Sequence, residues 1–265
     1  MHFILQENLF QERHYQMLIE IMEKFNLSHQ IVKVVPFVDE LESYDSSLIK
    51  DSERVFCFGS VKLARIATKF GWVPGSYYND NHDYRIYAEK YGLENMLNGD
   101  SKIYKFSDKF EIPGPSSLFF ARPCEDLKSF TGGVFMRDSW DEFVSHSLTN
   151  GHTTTLNENT PIQVASLKDI KREIRCWIIN NKVVTASQYR INERTIYQEC
   201  TEPYIIEWVE KMSKLYSPAD MYVMDIALID DDIKIIEINC INAAGFYDSN
   251  LQKLILEIIN YLDPK

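Results

Sequence analysis

One stretch near the end of the chain limits the fold more than any other. Residues 224–247 read MDIALIDDDIKIIEINCINAAGFY. Two aliphatic segments flank an acidic turn, and each carries a carboxylate in its interior. Asp225 lies in the first segment, Glu237 in the second, and Asn239 two residues further on. Segments of this kind on either side of Asp230, Asp231 and Asp232 predict an antiparallel hairpin. Centring the turn on residue 231 sets Asp225 opposite Glu237. Directly paired residues of an antiparallel ladder point to one face with Cβ atoms about 5 Å apart. Residues two apart on a strand also share a face. Asp225, Glu237 and Asn239 therefore converge on one patch. Two carboxylates that close repel, and burying them is costly unless something cationic compensates. Three oxygen donors suit a hard divalent cation, Mg²⁺ with Mn²⁺ as the alternative, which keeps waters and bridges phosphates. The other reading is a solvated face, and the apolar flanks weigh against it.

The rest of the chain divides into two patterns. Over the first ninety or so residues, apolar strand-like runs (residues 2–6, HQIVKVVPF, RVFCFG) alternate with helical periods (ERHYQMLIEIMEKF, SVKLARIATKFG). That alternation predicts a small α/β layer with a parallel sheet. Ser60 reads as a helix N-cap and Gly71 as a helix stop. GWVPGSYYNDNHDY, with Tyr77, Tyr78 and Tyr84, reads as a surface loop. A turn signal at Asn98-Gly99 marks a boundary within residues 93–104, giving expected domains of 1–97 and 98–265. Beyond it come a strand SLFFARP, a helix SWDEFVSHSLTN, a hairpin turning at Asn180-Asn181, a helix EPYIIEWVEKMSKLY, the acidic hairpin and a closing helix. Hairpins separated by helices predict an α+β half with antiparallel sheets.

Composition excludes some classes. With 39 acidic against 28 basic residues, a net charge of −11 and no basic cluster, the chain is not expected to bind nucleic acid. No apolar run is long enough to span a membrane, and the first residues do not read as a signal peptide. Five cysteines without a C-x-x-C spacing fit free thiols in a reducing compartment, so the expected location is cytoplasmic. His2, His14, His29, His82, His146 and His152 show no metal-binding spacing and read as surface or satisfied histidines.

Two further constellations carry charge. In FFARPCEDLKSFTGGVF, Arg122 ends a strand, and Lys128 shares a loop with Gly132 and Gly133. A glycine-containing loop offers backbone N–H groups to phosphate oxygens, and nearby cations add attraction. In KREIRCWIINNKVVTASQYR, Glu173 and Arg175 share a strand face, and Arg190 closes the following strand.

Taken in order, these residues resemble the ATP-grasp superfamily over roughly residues 98–262. Within it they are most similar to a bacterial and phage clade with an Arg-Pro…Asp-x-Lys-x-Phe-x-Gly run. That run is Arg122-Pro123, Asp126, Lys128, Phe130 and Gly132 here. Arg122 stands where the superfamily usually has Lys, which keeps the charge but adds a planar fork. The resemblance implies a fold of two α+β subdomains behind a small α/β domain, with ATP held between them. It implies an adenine hinge at Gln163, Val164, Ala165 and Ser166, phosphate contacts from Arg122, Lys128, Gly132 and Gly133, and a nucleotide-side Glu173. Asp225, Glu237 and Asn239 would hold one or two Mg²⁺. Arg175, Arg190 and Lys128 are the expected catalytic residues, and Asn242 and Gly245 would shape an acceptor pocket. The implied reaction joins a small-molecule, peptide or protein carboxylate to an amine through an acyl phosphate. The alternatives are a kinase that stops at phosphoryl transfer and a non-catalytic nucleotide-binding protein.

Overall fold

The computed structural model describes residues 1–7, 12–150, 155–230 and 232–264. Asp231 in the acidic turn and His152 lie outside the described residues. The described residues form three sheets and six α-helices.

The first sheet has the order β3-β2-β1-β4-β5, from β1 (His2–Gln6), β2 (Ser28–Val34), β3 (Leu41–Glu42), β4 (Val55–Phe58) and β5 (Pro74–Gly75). Its pairings are parallel except for the short β3 edge. Alternation along the strands gives it two apolar faces. Phe3, Leu5, Phe56 and Phe58 face α1 (Glu12–Lys24), while Ile4, Val55 and Cys57 face α2 (Val61–Lys69). Ser60 caps α2 by accepting from the Leu63 N–H at 3.4 Å, and Gly71 follows that helix at φ +70°.

The span expected as a surface loop packs instead. It leads into α3 (Tyr84–Tyr91), where Tyr84 is buried and donates its hydroxyl to Asn98 O at 2.7 Å. His82 is also buried: Nδ1 lies 3.2 Å from Asn79 O, and Nε2 has no hydrogen-bond partner among the described residues. The segment is polar and aromatic without helical spacing of aliphatic residues, so periodicity gave no sign of burial.

The second sheet has the order β6-β9-β7-β8, from β6 (Lys102–Lys105), β7 (Leu118–Pro123), β8 (Gly133–Met136) and β9 (Pro161–Ala165). With α4 (Arg137–Asn150) it encloses an aromatic core around Phe106, Phe119, Trp140 and Phe135. Phe106 and Phe135 meet the Trp140 ring edge-on at 5.5 and 5.0 Å between centroids, an arrangement that suits ring quadrupoles.

The third sheet has the order β12-β11-β10-β13-β14, from β10 (Arg172–Ile179), β11 (Lys182–Ile191), β12 (Arg194–Glu199), β13 (Met221–Ile229) and β14 (Asp232–Cys240). Asn180 and Asn181 both take positive φ in the β10–β11 turn, as two-residue hairpins require. Ile174, Cys176, Tyr222, Met224 and Ile226 pack toward α3 and α5 (Pro203–Leu215). On the opposite face, Trp177, Met221 and Val223 join the first sheet and α6 (Leu251–Leu262) in one core. Residues 84–97, expected in the first domain, lie against this third sheet: Tyr84, Tyr87 and Met96 share its core, and Leu97 N–H donates to Ile235 O at 2.8 Å.

Asn242 ties the first and third sheets together. Its Nδ2 donates to Cys57 O at 2.5 Å, its Oδ1 accepts from Tyr77 N–H at 2.8 Å, and its carbonyl accepts from Gly59 N–H at 2.8 Å. A core shared between two sheets predicts that they unfold as one. Phe58→Ala, in that core, is expected to cost about 3–5 kcal/mol. Denaturant unfolding followed by tryptophan fluorescence and far-UV circular dichroism should give coincident transitions; two separated transitions would contradict the shared core.

Candidate functional site

The acidic hairpin forms as its sequence indicates. Asp225 pairs directly with Glu237 in the β13–β14 ladder, and Val223 pairs with Asn239. A bulge between Asp225 and Ile226 shifts the register only beyond the carboxylates. Asp225 is 1 % exposed, so each acidic group needs a partner, and three cations supply them.

Arg175 lies opposite Asp225 on the neighbouring strand and forms a bidentate ion pair, Nε–Oδ1 2.8 Å and Nη2–Oδ2 2.7 Å. Its Nη1 also donates to Gly245 O at 3.2 Å, and its guanidinium lies 4.8 Å from the Tyr247 ring centroid. Arg122, at the end of β7, forms an ion pair with Glu237 across the gap between the second and third sheets. Lys128 Nζ donates to Asn239 Oδ1 at 2.7 Å and pairs with Asp126 at 2.5 Å. Lys128 holds φ +55°, a left-handed conformation costing about 1–3 kcal/mol that tends to persist at functional sites. Asp126 Oδ2 accepts from Cys240 N–H at 3.0 Å, which fixes the loop to the end of β14.

These groups surround a cleft of ≈ 380 Å³ lined by Arg122, Asp126, Lys128, Gly132, Glu173, Arg175, Arg190, Asp225 and Glu237. A Cβ on Gly132 would stand 2.8 Å from the Arg122 Cβ, so glycine permits the loop to lie against β7. Gly133 begins β8 and does not line the cleft. Glu173 and Arg190 pair at 2.7 Å at the far end. Gln163 and Val164 sit in the middle of β9, with ladders to β6 and β7 on both edges. Their backbone groups are committed to the sheet; Ala165 pairs with Phe120 at the strand end, and Ser166 N–H donates to Asp100 Oδ2 at 3.4 Å. Ser166 Oγ donates to Asp100 Oδ2 at 2.6 Å.

The electrostatics divide the two carboxylates. Burial pushes Glu237 upward, but the Arg122 and Lys128 charges outweigh it and hold the group down at about 2. Burial pushes Asp225 up to about 6, against the opposing pull of Arg175. Facing carboxylates in a low-dielectric site favour this kind of separation.

Among the described residues no three His, Cys, Asp or Glu side chains form a metal cluster; the third expected donor is an amide. Donor chemistry supports the fit of a hard cation, since all three groups offer oxygen from neighbouring rungs of one hairpin. Asn239 lies beside Glu237, with its Oδ1 accepting from Lys128. For an ion to take these oxygens, Arg122 and Lys128 must move off Glu237 and Asn239, and the ion must share Asp225 with Arg175, which holds both its oxygens.

A tyrosine stack at the rim has no sequence signal. Tyr247 lies 4.8 Å from Tyr189 and 5.2 Å from Tyr197 between ring centroids, both near parallel. Tyr189 and Tyr197 face each other in the β11–β12 hairpin, Tyr247 comes from fifty residues further on, and their meeting depends on that pairing and on Tyr247 adopting φ +50°.

A family model described as an ATP-grasp domain, R(2)K clade family 3, matches residues 28–258. No curated protein matches the chain. Among solved structures, the D-alanine–D-alanine ligase from Bacillus anthracis complexed with ATP is similar at a TM-score of 0.61 and 14% identity, covering 98% of this chain and 92% of that one. The ATP-grasp ligase PsnB complexed with a phosphomimetic variant of its minimal precursor, Mg and ADP gives 0.55 at 11%, covering 98% and 97%. A RimK domain protein ATP-grasp from Sphaerobacter thermophilus gives 0.54 at 9%, covering 92% of each. At these identities the likeness is one of fold.

Removing one member of the buried pair tests the charge arrangement. Arg175→Ala leaves Asp225 uncompensated and is expected to cost about 3–5 kcal/mol, with much of the loss recovered by adding Asp225→Asn. Urea denaturation of both single variants and the double variant measures this; additive losses would show that the two groups do not interact.

Proposed function

Because the chain belongs to family 3 of the R(2)K clade of ATP-grasp domains, we propose that it is an ATP-dependent carboxylate–amine ligase working through an acyl phosphate. The observation that carries this reading is the meeting of Arg122 and Lys128 with Asp225, Glu237 and Asn239 across one cleft. Two cations face the oxygens that suit a divalent ion, an arrangement that supports triphosphate binding at this cleft. Solved neighbours of the same fold carry ATP, or Mg and ADP, in their complexes.

In this proposal bound ATP supplies the phosphoryl group, and Mg²⁺, or Mn²⁺ in its place, offsets the charge on its oxygens. Asp225, Glu237 and Asn239 hold the ion. Arg122 and Lys128 turn from Glu237 and Asn239 to the phosphate oxygens, and the backbone beside Gly132 lets the loop approach them. Ala165 and Ser166 offer their backbone to the adenine, and Glu173 lines the nucleotide side. A substrate carboxylate oxygen attacks the γ-phosphorus and ADP leaves. An amine then attacks the acyl carbon, inorganic phosphate leaves, and the amine gives up a proton. Arg190 is 48 % exposed at its side chain and keeps freedom to turn toward the substrate carboxylate. Arg175 is more tightly held, and serves by fixing Asp225 and by setting positive charge beside the reacting group. Positioned cations of this kind lower the barrier to phosphoryl transfer. Residues 1–97 lead this arrangement, with the first sheet joined to the loop after β14 through Asn242 and residues 84–97 packed against the third sheet.

The experiment is an ADP-release screen of carboxylates with amine acceptors, paired with thermal shift by ATP with and without Mg²⁺. Metal-dependent stabilisation and acceptor-dependent ADP release are expected. Glu237→Gln should lower turnover by about 10²-fold or more. Product mass identifies the chemistry: a joined product supports the ligase, and a phosphorylated end product would replace it with a kinase. Normal turnover in Glu237→Gln would remove the metal assignment.

A further inference from the structure

We propose that the outer edge of β12 docks an extended peptide, adding it to the third sheet as a sixth strand, and that this peptide presents its carboxylate to the cleft. The carboxylate's chemical fate rests on the ligase reading above; the docking does not.

Three observations support it. β12 ends the order of its sheet and pairs only with β11. All six of its residues, RTIYQE, are exposed, and among the described residues no strand pairs its other side. A free edge offers main-chain N–H and C=O groups to a further strand. Proteins usually blunt such edges with short length, proline, charge or bulges; β12 has six residues without proline or lysine, carries charge only at its ends, Arg194 and Glu199, and its register with β11 shifts between Gln188 and Arg190.

The second observation is continuity with the cleft. A cavity of ≈ 1030 Å³ is lined by Arg194 and Ile196 of β12 and also by Glu173 and Arg190. Glu173 and Arg190 line the ≈ 380 Å³ cleft as well. The two spaces therefore meet at one ion pair, where the half-exposed Arg190 guanidinium can receive a carboxylate. The outer cavity alone is at the upper limit of small-molecule sites, about 300–1,000 Å³, which suits a chain segment better than a metabolite.

The third is the grip the outer cavity offers. Ile196 of β12 is 39 % exposed and Val134 of β8 is 56 % exposed, and both line it. In strand addition, main-chain hydrogen bonds give affinity and pockets for alternate side chains give selectivity. An acidic residue with apolar neighbours two positions away meets both demands: the apolar side chains reach Ile196 and Val134, and the carboxylate reaches Arg190.

The test uses the full chain and a fluorescein-labelled peptide, Thr-Val-Thr-Glu-Thr-Val-Thr, in which valines stand two positions to either side of the glutamate, followed by anisotropy without nucleotide. Two N-methylated versions remove alternate amide hydrogens, one set in each register. The parent peptide is expected to bind, one N-methylated register to bind at least tenfold more weakly, and the other to bind as the parent does. Ile196→Asp should weaken the parent peptide at least tenfold while leaving the Mg²⁺-dependent thermal shift by ATP unchanged. No binding of the parent, equal binding of all three peptides, or unchanged binding by Ile196→Asp would overturn the proposal. Light scattering that shows a dimer broken by Ile196→Asp would assign the edge to a second copy of the chain and also overturn it. If the thermal shift by ATP is absent while peptide binding behaves as expected, the ligase reading fails and the docking edge stands.

Discussion

Two carboxylates held face to face on one ladder, Asp225 buried and Glu237 half-buried, are the constraint from which the remaining arrangement follows. Asp225 and Glu237 are paired residues of one hairpin, and no strand geometry can keep them apart. Each must be met by a cation, and the cations come from different elements: Arg175 from β10, Arg122 from β7, Lys128 from the loop beyond it. Charge balance thus determines how the second sheet sits against the third. The ion pairs do more positional than energetic service, since desolvation offsets much of the attraction in a buried pair.

This local balance contrasts with the chain as a whole. The net charge is −11, yet four cationic side chains, Arg122, Lys128, Arg175 and Arg190, line a single cleft. A concave, low-dielectric wall concentrates their field. The same cleft is lined by Glu125, Asp126, Glu173, Asp225 and Glu237, so an anionic ligand gains attraction there as the cations turn from these partners or as a divalent ion offsets the carboxylates.

The parts of this arrangement differed in how openly the sequence displayed them. The Asp225–Glu237 register was legible because aliphatic residues on both sides fixed the strand and an acidic turn fixed its centre. The Asn180-Asn181 turn was legible because few residues other than glycine accept positive φ so readily. By contrast, β12 carries no buried residue, so no alternation marks it. β6 is almost as exposed. Burial of α3 depends on tyrosines that meet a surface formed much later in the chain. In the candidate site, the charged residues were identifiable from the resemblance, but not which cation meets which anion. The Arg122–Glu237 and Lys128–Asn239 pairs join residues more than a hundred positions apart, and only the packing of two sheets selects them. The place of Gln163 and Val164 inside a three-strand ladder was equally invisible, because edge and centre strands look alike in composition.

The second sheet keeps an aromatic core to itself, with no member among the described residues drawn from the other two sheets. It grips the third sheet across the cleft largely through the same Arg122 and Lys128 contacts that cover Glu237 and Asn239. An anion that draws those two cations away frees the oxygens beneath them, while the Asp126–Cys240 contact still holds the loop to the end of β14. Drawing the cations off and baring the oxygens are then one event, because the same two side chains do both.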